Sequence, residues 1–238
     1  MNNITLNDFP IVSSVDANSK IGFRRIYQNG LFVFHNSGFS YCDNPKGIGL
    51  SEMSNVLCSN DIPEYFHIYN ISSEDYFFYK EVLPRASLYL RERSFSFYGL
   101  YYEDCLLPID SGITYVFSNE HPLASKIPVS LFKKFWSCLE DMASSSVFCA
   151  AFINNKFSSI CYGAAISKNI IEVDIFTEEE YRGKGLGKVV ASQFINECLK
   201  RGLVIKWDCF VSNMASLELA RSLGFVFDKT YKLLSIKK

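Results

Sequence analysis

Cysteine pairs, clustered histidines, long apolar runs and net charge are all scarce in this chain of 238 residues. Its eight cysteines, at 42, 58, 105, 138, 149, 161, 198 and 209, include no C-x-x-C pair, and its three histidines, at 35, 67 and 121, stand far apart. Such spacing gives neither a zinc site nor a disulfide framework, so no metal is expected and the thiols read as small core residues of a reducing compartment. No run approaches the ~20 apolar residues of a membrane span, so no membrane partner is expected. The opening MNNITLNDFP has neither the basic start nor the apolar stretch of a secretory leader, which points to a cytoplasmic protein. A formal net charge of −1 argues against a general nucleic-acid binder. Proline is absent beyond Pro128, so the second half can run through regular elements without interruption.

What is present is apolar and aromatic: 48% hydrophobic and 16% aromatic residues, enough to bury a core in one large or two small domains. Residues 1–110 read as an α/β lobe. Residues 1–30 carry no clear periodicity, with Ile21-Gly22-Phe23 and Ile26-Tyr27 as a candidate strand start. Strands are expected as a hairpin from Leu31 to Tyr41 about Asn36-Ser37-Gly38, from Glu64 to Ile71 and from Phe95 to Tyr102, with a turn at Asp43–Gly47 and a short helix capped by Ser72-Ser73-Glu74-Asp75 and ending before Pro84. Between Leu106 and Pro128 three prolines and Asp110-Ser111-Gly112 mark a join, and 111–238 reads as a second domain. It should hold a strand at Thr114–Phe117, a helix from Ser130 to Met142, a hairpin of 147–153 and 157–166 about Asn154-Asn155, a strand at 204–210, an Asn213-capped helix and a last strand from Phe225 to Ile236. Acidic residues outnumber basic ones in the first part and the reverse holds in the second.

The informative stretch is Ile170 to Arg201, IIEVDIFTEEEYRGKGLGKVVASQFINECLKR. Alternation over 170–176 puts Glu172, Asp174 and Phe176 on one strand face and Ile171, Val173 and Ile175 on the other. A helix over 187–201 follows, with two apolar rows at i, i+4 spacing: 190, 194, 198 and 191, 195, 199. Between them lie Gly183, Gly185 and Gly187. Alternate glycines leave the main chain open to a ligand, the helix start adds unpaired amides, and Arg182, Lys184 and Lys188 add charge. The pattern is a phosphate cradle. A Walker A loop is excluded because Arg182 and Val189 stand where its first Gly and its Ser or Thr belong, and a dinucleotide G-x-G-x-x-G because Lys188 replaces the third glycine.

Arg/Gln-x-x-Gly-x-Gly/Ala is instead an acyl-CoA loop pattern. EVDIF…YRGKGLGKVV resembles the core motif of the GCN5-related N-acetyltransferase (GNAT) superfamily, and the resemblance continues through Val204–Cys209 and Asn213–Ser216 to Leu223-Gly224-Phe225, about the last third of the chain. Its nearest likeness is to the subgroup with zwittermicin-type resistance acetyltransferases. The resemblance implies an α/β fold of α+β type: a central mixed sheet with flanking helices, here behind a divergent amino-terminal lobe. It implies acetyl-CoA as acyl donor, a primary amine of a small polar molecule as acceptor, and a parting of two strands that takes the pantetheine arm. Ile175, Phe176 and Thr177 should face that arm. Arg182, Gly183, Lys184, Gly185, Leu186, Gly187 and Lys188 should hold the pyrophosphate, and Asn213 and Ser216 lie on the same side, Asn213 having plain helix capping as its alternative.

Direct attack by an amine needs a proton acceptor. Glu172 is the first candidate and Asp174 the second, the alternative being that either carboxylate orients Lys206 or a main-chain amide; for Asp208 a structural role is expected. Cys209 as a nucleophile is the lesser reading, because no histidine stands near it in sequence. Many members of the superfamily carry a Tyr where this chain has Ala220, so Ser216, a tyrosine from elsewhere or water would protonate the leaving thiolate. A protein or peptide N-terminus as acceptor, or an acyl-CoA-binding module without catalysis, are the competing readings.

Overall fold

A computed structural model describes residues 24–27, 32–34, 40–41, 50–58, 64–69, 71–99, 112–133, 135–167 and 169–238. The expected turns at 36–38 and 43–47, the end of the 95–102 strand, most of the join before Gly112, Cys42, Cys105 and His35 lie outside the described residues. The chain divides into two units, one of Met1–Ser94, Phe210–Ser212 and Lys229–Lys238, the other of Phe95–Cys209 and Asn213–Asp228.

In the first unit, β1 (Arg24–Tyr27), β2 (Phe32–Phe34) and β3 (Ser40–Tyr41) form a small antiparallel sheet, with Val33 opposite Tyr41 as the expected hairpin requires. Helices α1 (Leu50–Leu57) and α2 (Ser73–Val82) flank β4 (Tyr65–Tyr69) in the chain. Ser72 caps α2 in a reciprocal box: its hydroxyl accepts from Asp75 N and its own N–H donates to Asp75 Oδ2. Met53, Leu57, Phe66, Ile68, Tyr79 and Val82 close a core with Leu234 and Ile236. The last two belong to β11 (Phe225–Lys237), which pairs antiparallel with β4 from Leu233↔Tyr69 to Lys237↔Tyr65. β5 (Ser87–Tyr98) starts eight residues before the expected strand, because SLYLRER carries charge that the apolar pattern does not register as strand.

The second unit is built on the strand order β10-β9-β8-β7-β6. These are β6 (Ile113–Val116), β7 (Phe148–Ile153), β8 (Lys156–Ser167), β9 (Ile170–Thr177) and β10 (Val204–Phe210). Neighbours from β6 to β9 are antiparallel, and β9 and β10 are parallel. Asn154 and Asn155, at φ 51° and 60°, make the tight turn between β7 and β8, left-handed at both positions as a two-residue hairpin demands. Helix α5 (Leu186–Lys200) returns the chain from β9 to β10, the helical crossover that parallel neighbours need. Leu186, Val190, Ala191, Phe194, Ile195 and Cys198 bury against Val147, Cys149, Ala151, Cys161, Ile171, Val173, Ile205, Trp207 and Cys209. Leu199, expected in the buried row, is 40% exposed, since the 3.6-residue repeat rotates it off the sheet by the last turn. Gly202 at φ 68° ends the helix. Helix α6 (Met214–Ser222) and its C-cap add Ala220 and Leu223 to the same core, and Phe225 stacks edge-on against Tyr98 and Trp207.

One expected helix is two. Instead of 130–142, the chain forms α3 (Val129–Phe132) and α4 (Leu139–Ser145). Phe132 O takes the N–H of both Phe135 and Trp136, which closes the first helix, and Cys138 starts the second by accepting from Asp141 N. The break lets Phe132, Phe135 and Trp136 all be buried. Trp136 Nε1 donates to Gly163 O at 2.8 Å, where the β8–β9 register shifts between Gly163 and Ala165. A Cβ on Gly163 would collide with Ser146 Oγ and lie 2.5 Å from Ile171 Cδ1, so only glycine fits there.

Candidate active site

β9 and β10 are laddered for three residue pairs, Val204↔Ile170, Ile205↔Ile171 and Lys206↔Glu172. Both strands run on, β9 to Thr177 and β10 to Phe210, with no further pairing between them. On its other edge β9 stays paired with β8 as far as Ser159↔Thr177. Beyond Glu172, therefore, β9 turns main-chain N–H and C=O groups toward a gap rather than toward a strand. Such an edge is complementary to an extended, amide-bearing chain.

Alternation divides the side chains around that gap. Ile171, Val173, Ile205, Trp207 and Cys209 belong to the apolar face under α5. Cys209 is therefore on the side opposite the carboxylates, which agrees with its reading as core. Glu172, Asp174, Lys206 and Asp208 share the other face. Lys206 Nζ lies 3.5 Å from Glu172 Oε2 and 3.9 Å from Asp208 Oδ2, and the Lys206 side chain is 1% exposed. An ammonium so buried requires compensation, and here two carboxylates provide it. Of the two expected base candidates, Glu172 is thus turned to Lys206 and Asp174 to a main-chain amide, each a partner foreseen as the alternative to base catalysis. Asp174 has another setting: its Oδ1 accepts from Ile175 N at 3.0 Å and its Oδ2 lies 2.7 Å from the Tyr162 hydroxyl. Among the described residues these four side chains are three carboxylates and one ammonium, a formal excess of negative charge.

The loop after β9 is tied down locally. Residues Glu179–Tyr181 form a 3₁₀ turn, and Lys156 Nζ meets Glu180 Oε1 at 2.5 Å. Arg182 Nε donates to Thr177 O at 2.9 Å with its guanidinium 5.8 Å from the Phe176 ring centre; Lys184 Nζ donates to Glu180 O at 2.7 Å and lies 5.8 Å from the Tyr181 ring centre. These two cations brace the loop as well as charging it. Gly183 and Gly185, at φ 70° and 81°, take left-handed turns, and a Cβ on either would meet nothing within 4 Å. Conformation demands glycine at both, and the space above them is open. Gly187 differs: its Cβ would stand 3.1 Å from Thr177 Oγ1, so its absence lets α5 lie against β9. Gly185 is the N-cap of α5 and supplies no side-chain cap, while the first closing bond is Val189 N to Gly185 O. The amides of Leu186, Gly187 and Lys188 thus have no partner within the helix. Glycines shaped this way beside an uncapped helix start suit a diphosphate.

The remaining expected residues fall around the same strands. Phe176 shares the alternation of Glu172 and Asp174, whereas Ile175 and Thr177 side chains lie toward Gly187. Asn213 Oδ1 accepts from Ser216 N, so Asn213 does cap α6, and Ser216 Oγ accepts from Trp207 Nε1 at 3.0 Å. Ala220 is buried in the core. Tyr162 was not singled out by the sequence: within KFSSICYGAAIS it reads as one more apolar strand residue, and only the β8–β9 register sets it opposite Asp174.

Known proteins are similar to this chain in sequence and in fold. A family model described as GNAT acetyltransferase matches residues 110–234, just over half of the chain. The Bacillus subtilis (strain 168) protein named as the uncharacterized N-acetyltransferase YdfB is 38% identical over 94 residues, 40% of this chain and 36% of that protein, so little over a third of the relative's length is matched. Among solved structures, a GNAT-family protein from Novosphingobium aromaticivorans superposes with a TM-score of 0.65 at 16% identity, covering 99% of each chain. A GCN5-related N-acetyltransferase-like protein from Streptococcus suis gives 0.64 at 17% identity, covering 88% of this chain and 84% of that one. A tandem GNAT protein from the clavulanic acid biosynthesis pathway gives 0.59 at 11%, covering 87% and 78%. At these identities the structural likeness is one of fold: a mixed α/β sheet with flanking helices.

Proposed function

The chain belongs to the GNAT acetyltransferase family, and from that premise and the geometry around β9 we propose that it transfers an acetyl group from acetyl-CoA to a primary amine of a small polar molecule. The observation that carries the reading is the end of the β9–β10 ladder at Glu172 and Lys206, directly before a diphosphate-fitting turn. Main chain over 173–177 has no β10 partner and would pair with the pantetheine amides at the groups not already held, Ile175 N being bonded to Asp174 Oδ1 and Thr177 O to Arg182 Nε, and the turn 182–188 would take the pyrophosphate. The donor supplies an activated acyl carbon; the protein's part is to orient the two substrates, accept a proton and stabilise developing charge.

Excess negative charge on the face bearing Glu172, Asp174 and Asp208 favours an acceptor that arrives as an ammonium ion. It must lose a proton before attack. Because Glu172 is turned to Lys206, Asp174 becomes the preferred base and Glu172 the residue that holds the buried ammonium. Asn213 and Ser216, bonded to each other, with Ser216 Oγ also accepting from Trp207 Nε1 of β10, would border the donor from the start of α6. A likeness to zwittermicin-type resistance enzymes, a cytoplasmic setting, and an acceptor-binding role for the lobe 1–110 beside a catalytic domain 111–238 belong to the same proposal.

Ala220 favours a second reading, an acyl-CoA-binding module without turnover, because it removes a hydroxyl from the position where many relatives keep one. Incubating the full chain with acetyl-CoA and a panel of amines, amino-acid amides and peptides, with mass detection of acetylated products and thiol release, separates the readings. Acetylated small amines support the proposal. Acetylated peptides alone shift the acceptor class, and CoA binding without any product supports the module.

A further inference from the structure

The Tyr162 hydroxyl has one proton and two acceptors. It lies 2.7 Å from Asp174 Oδ2 on the adjacent strand and 2.8 Å from Leu131 O, the main-chain carbonyl of α3 packed over that face. A carbonyl cannot donate, so both contacts are hydrogen bonds at once only when Asp174 itself brings a proton. With Asp174 ionised, Tyr162 donates to Oδ2 and leaves Leu131 O; with the proton on Oδ2, that group donates to the phenol oxygen and the phenol proton turns to Leu131 O. Both settings use the same heavy-atom positions.

We propose that Tyr162 is a positioning residue whose hydroxyl proton switches between Asp174 and Leu131 as Asp174 takes up and gives back the proton of the acceptor ammonium. The inference rests on the transferase reading above and extends it to a residue outside the phosphate turn. The proton count balances without a further reactant. One ammonium N–H bond breaks as an O–H bond forms on Asp174 Oδ2, leaving a neutral amine and a neutral acid. After acyl transfer one of the two protons lost by nitrogen resides on the CoA sulfur and the other in solvent, and Asp174 is again ionised with Tyr162 turned back to it.

Two features of the surroundings favour the switch. Tyr162 is 1% exposed, and burial, then the charge of Asp174, push its phenol pKa far up, so it rotates its proton rather than losing it. Its ring is fixed by Phe135, 6.4 Å away between centres. Among the described residues, other titratable groups about Asp174 are Cys161 of β8, Glu172 of its own strand, and Lys206 and Asp208 of β10, Lys206 being paired with both Glu172 and Asp208. In the overlying segment Lys133 and Glu140 are exposed and Asp141 accepts from Ser137. None of these stands between Tyr162 and either acceptor.

The switch is read without any acceptor by carbon NMR of the full chain labelled at aspartate Cγ and leucine carbonyl. On lowering the pH, the Leu131 carbonyl shift should titrate with the same midpoint as the Asp174 carboxyl, and Asp174→Asn should leave Leu131 flat. In Tyr162→Phe, Asp174 should still titrate while Leu131 does not respond; if that variant does not fold, the wild type and Asp174→Asn decide. A Leu131 carbonyl insensitive to an Asp174 titration overturns the proposal, as does an Asp174 carboxyl that never protonates in the folded protein or a Leu131 titration that survives either substitution. The transferase reading is untouched by such a failure, because it is judged by product formation.

Discussion

Lys206 Nζ sits 3.5 Å from Glu172 Oε2 at the last register pair that β9 and β10 share. One contact thus serves two purposes: it neutralises a buried lysine, and it closes the ladder at the point where the strands part. Removing the lysine takes the ammonium from beside both Glu172 and Asp208, whereas Glu172→Gln leaves Asp208 beside it. Lys206→Met should therefore destabilise the chain by about 3–5 kcal/mol, and more than Glu172→Gln does. Urea unfolding of the three proteins checks the order.

The phosphate turn makes a separate prediction, based on backbone shape. Gly185→Val puts a β-branched residue at φ 81° and fills open space, so CoA binding should be lost. Lys184→Ala removes one cation already bonded to Glu180 O and should weaken binding by only about 1–2 kcal/mol. Calorimetric titration of each folded variant with CoA measures both.

Much of this turn is legible in the sequence, because glycine at alternate positions has few uses besides left-handed turns and close approach. The same holds for the hairpin at Asn154-Asn155 and for the α6 cap at Asn213, where the residue type itself dictates the conformation. Partnerships across strands are less legible. Lys206 stood as an alternative partner for either carboxylate and the parallel register gives it to Glu172, while that Asp174 meets Tyr162 follows from an antiparallel register with a shift at Gly163, and neither register is written in local pattern. The split of 130–142 into α3 and α4 fails for a related reason: three bulky aromatics imitate a helix stripe, and burying all of them at once requires a break.

Gly163→Ala tests that packing. The new Cβ would strike Ser146 Oγ and crowd Ile171 Cδ1 at 2.5 Å, and neither neighbour is at a surface where it can yield. A loss of about 1–3 kcal/mol is expected from overpacking, visible as a lowered thermal midpoint.

In the first unit, His67 is buried, with Nδ1 3.0 Å from Ser235 Oγ. Burial, followed by the charges of Arg93 and Arg91, lowers its pKa to about 4. The unfolded chain protonates near 6.5, so it binds more protons than the folded chain between those values. Stability should be level above pH 6.5, fall by roughly 3 kcal/mol as the pH drops to about 4, and level off below as far as this group is concerned. His67→Gln should remove that component from a series of unfolding curves taken across the window.

Hydrogen exchange with and without CoA bears most directly on the claim that the gap between β9 and β10, with the turn that follows, receives the acyl donor. Saturating CoA should slow exchange at the amides of 173–177 and 183–188 by tenfold or more, and Gly185→Val should abolish the effect. Protection confined to other segments, or none in these two while calorimetry shows CoA bound, would contradict the assignment.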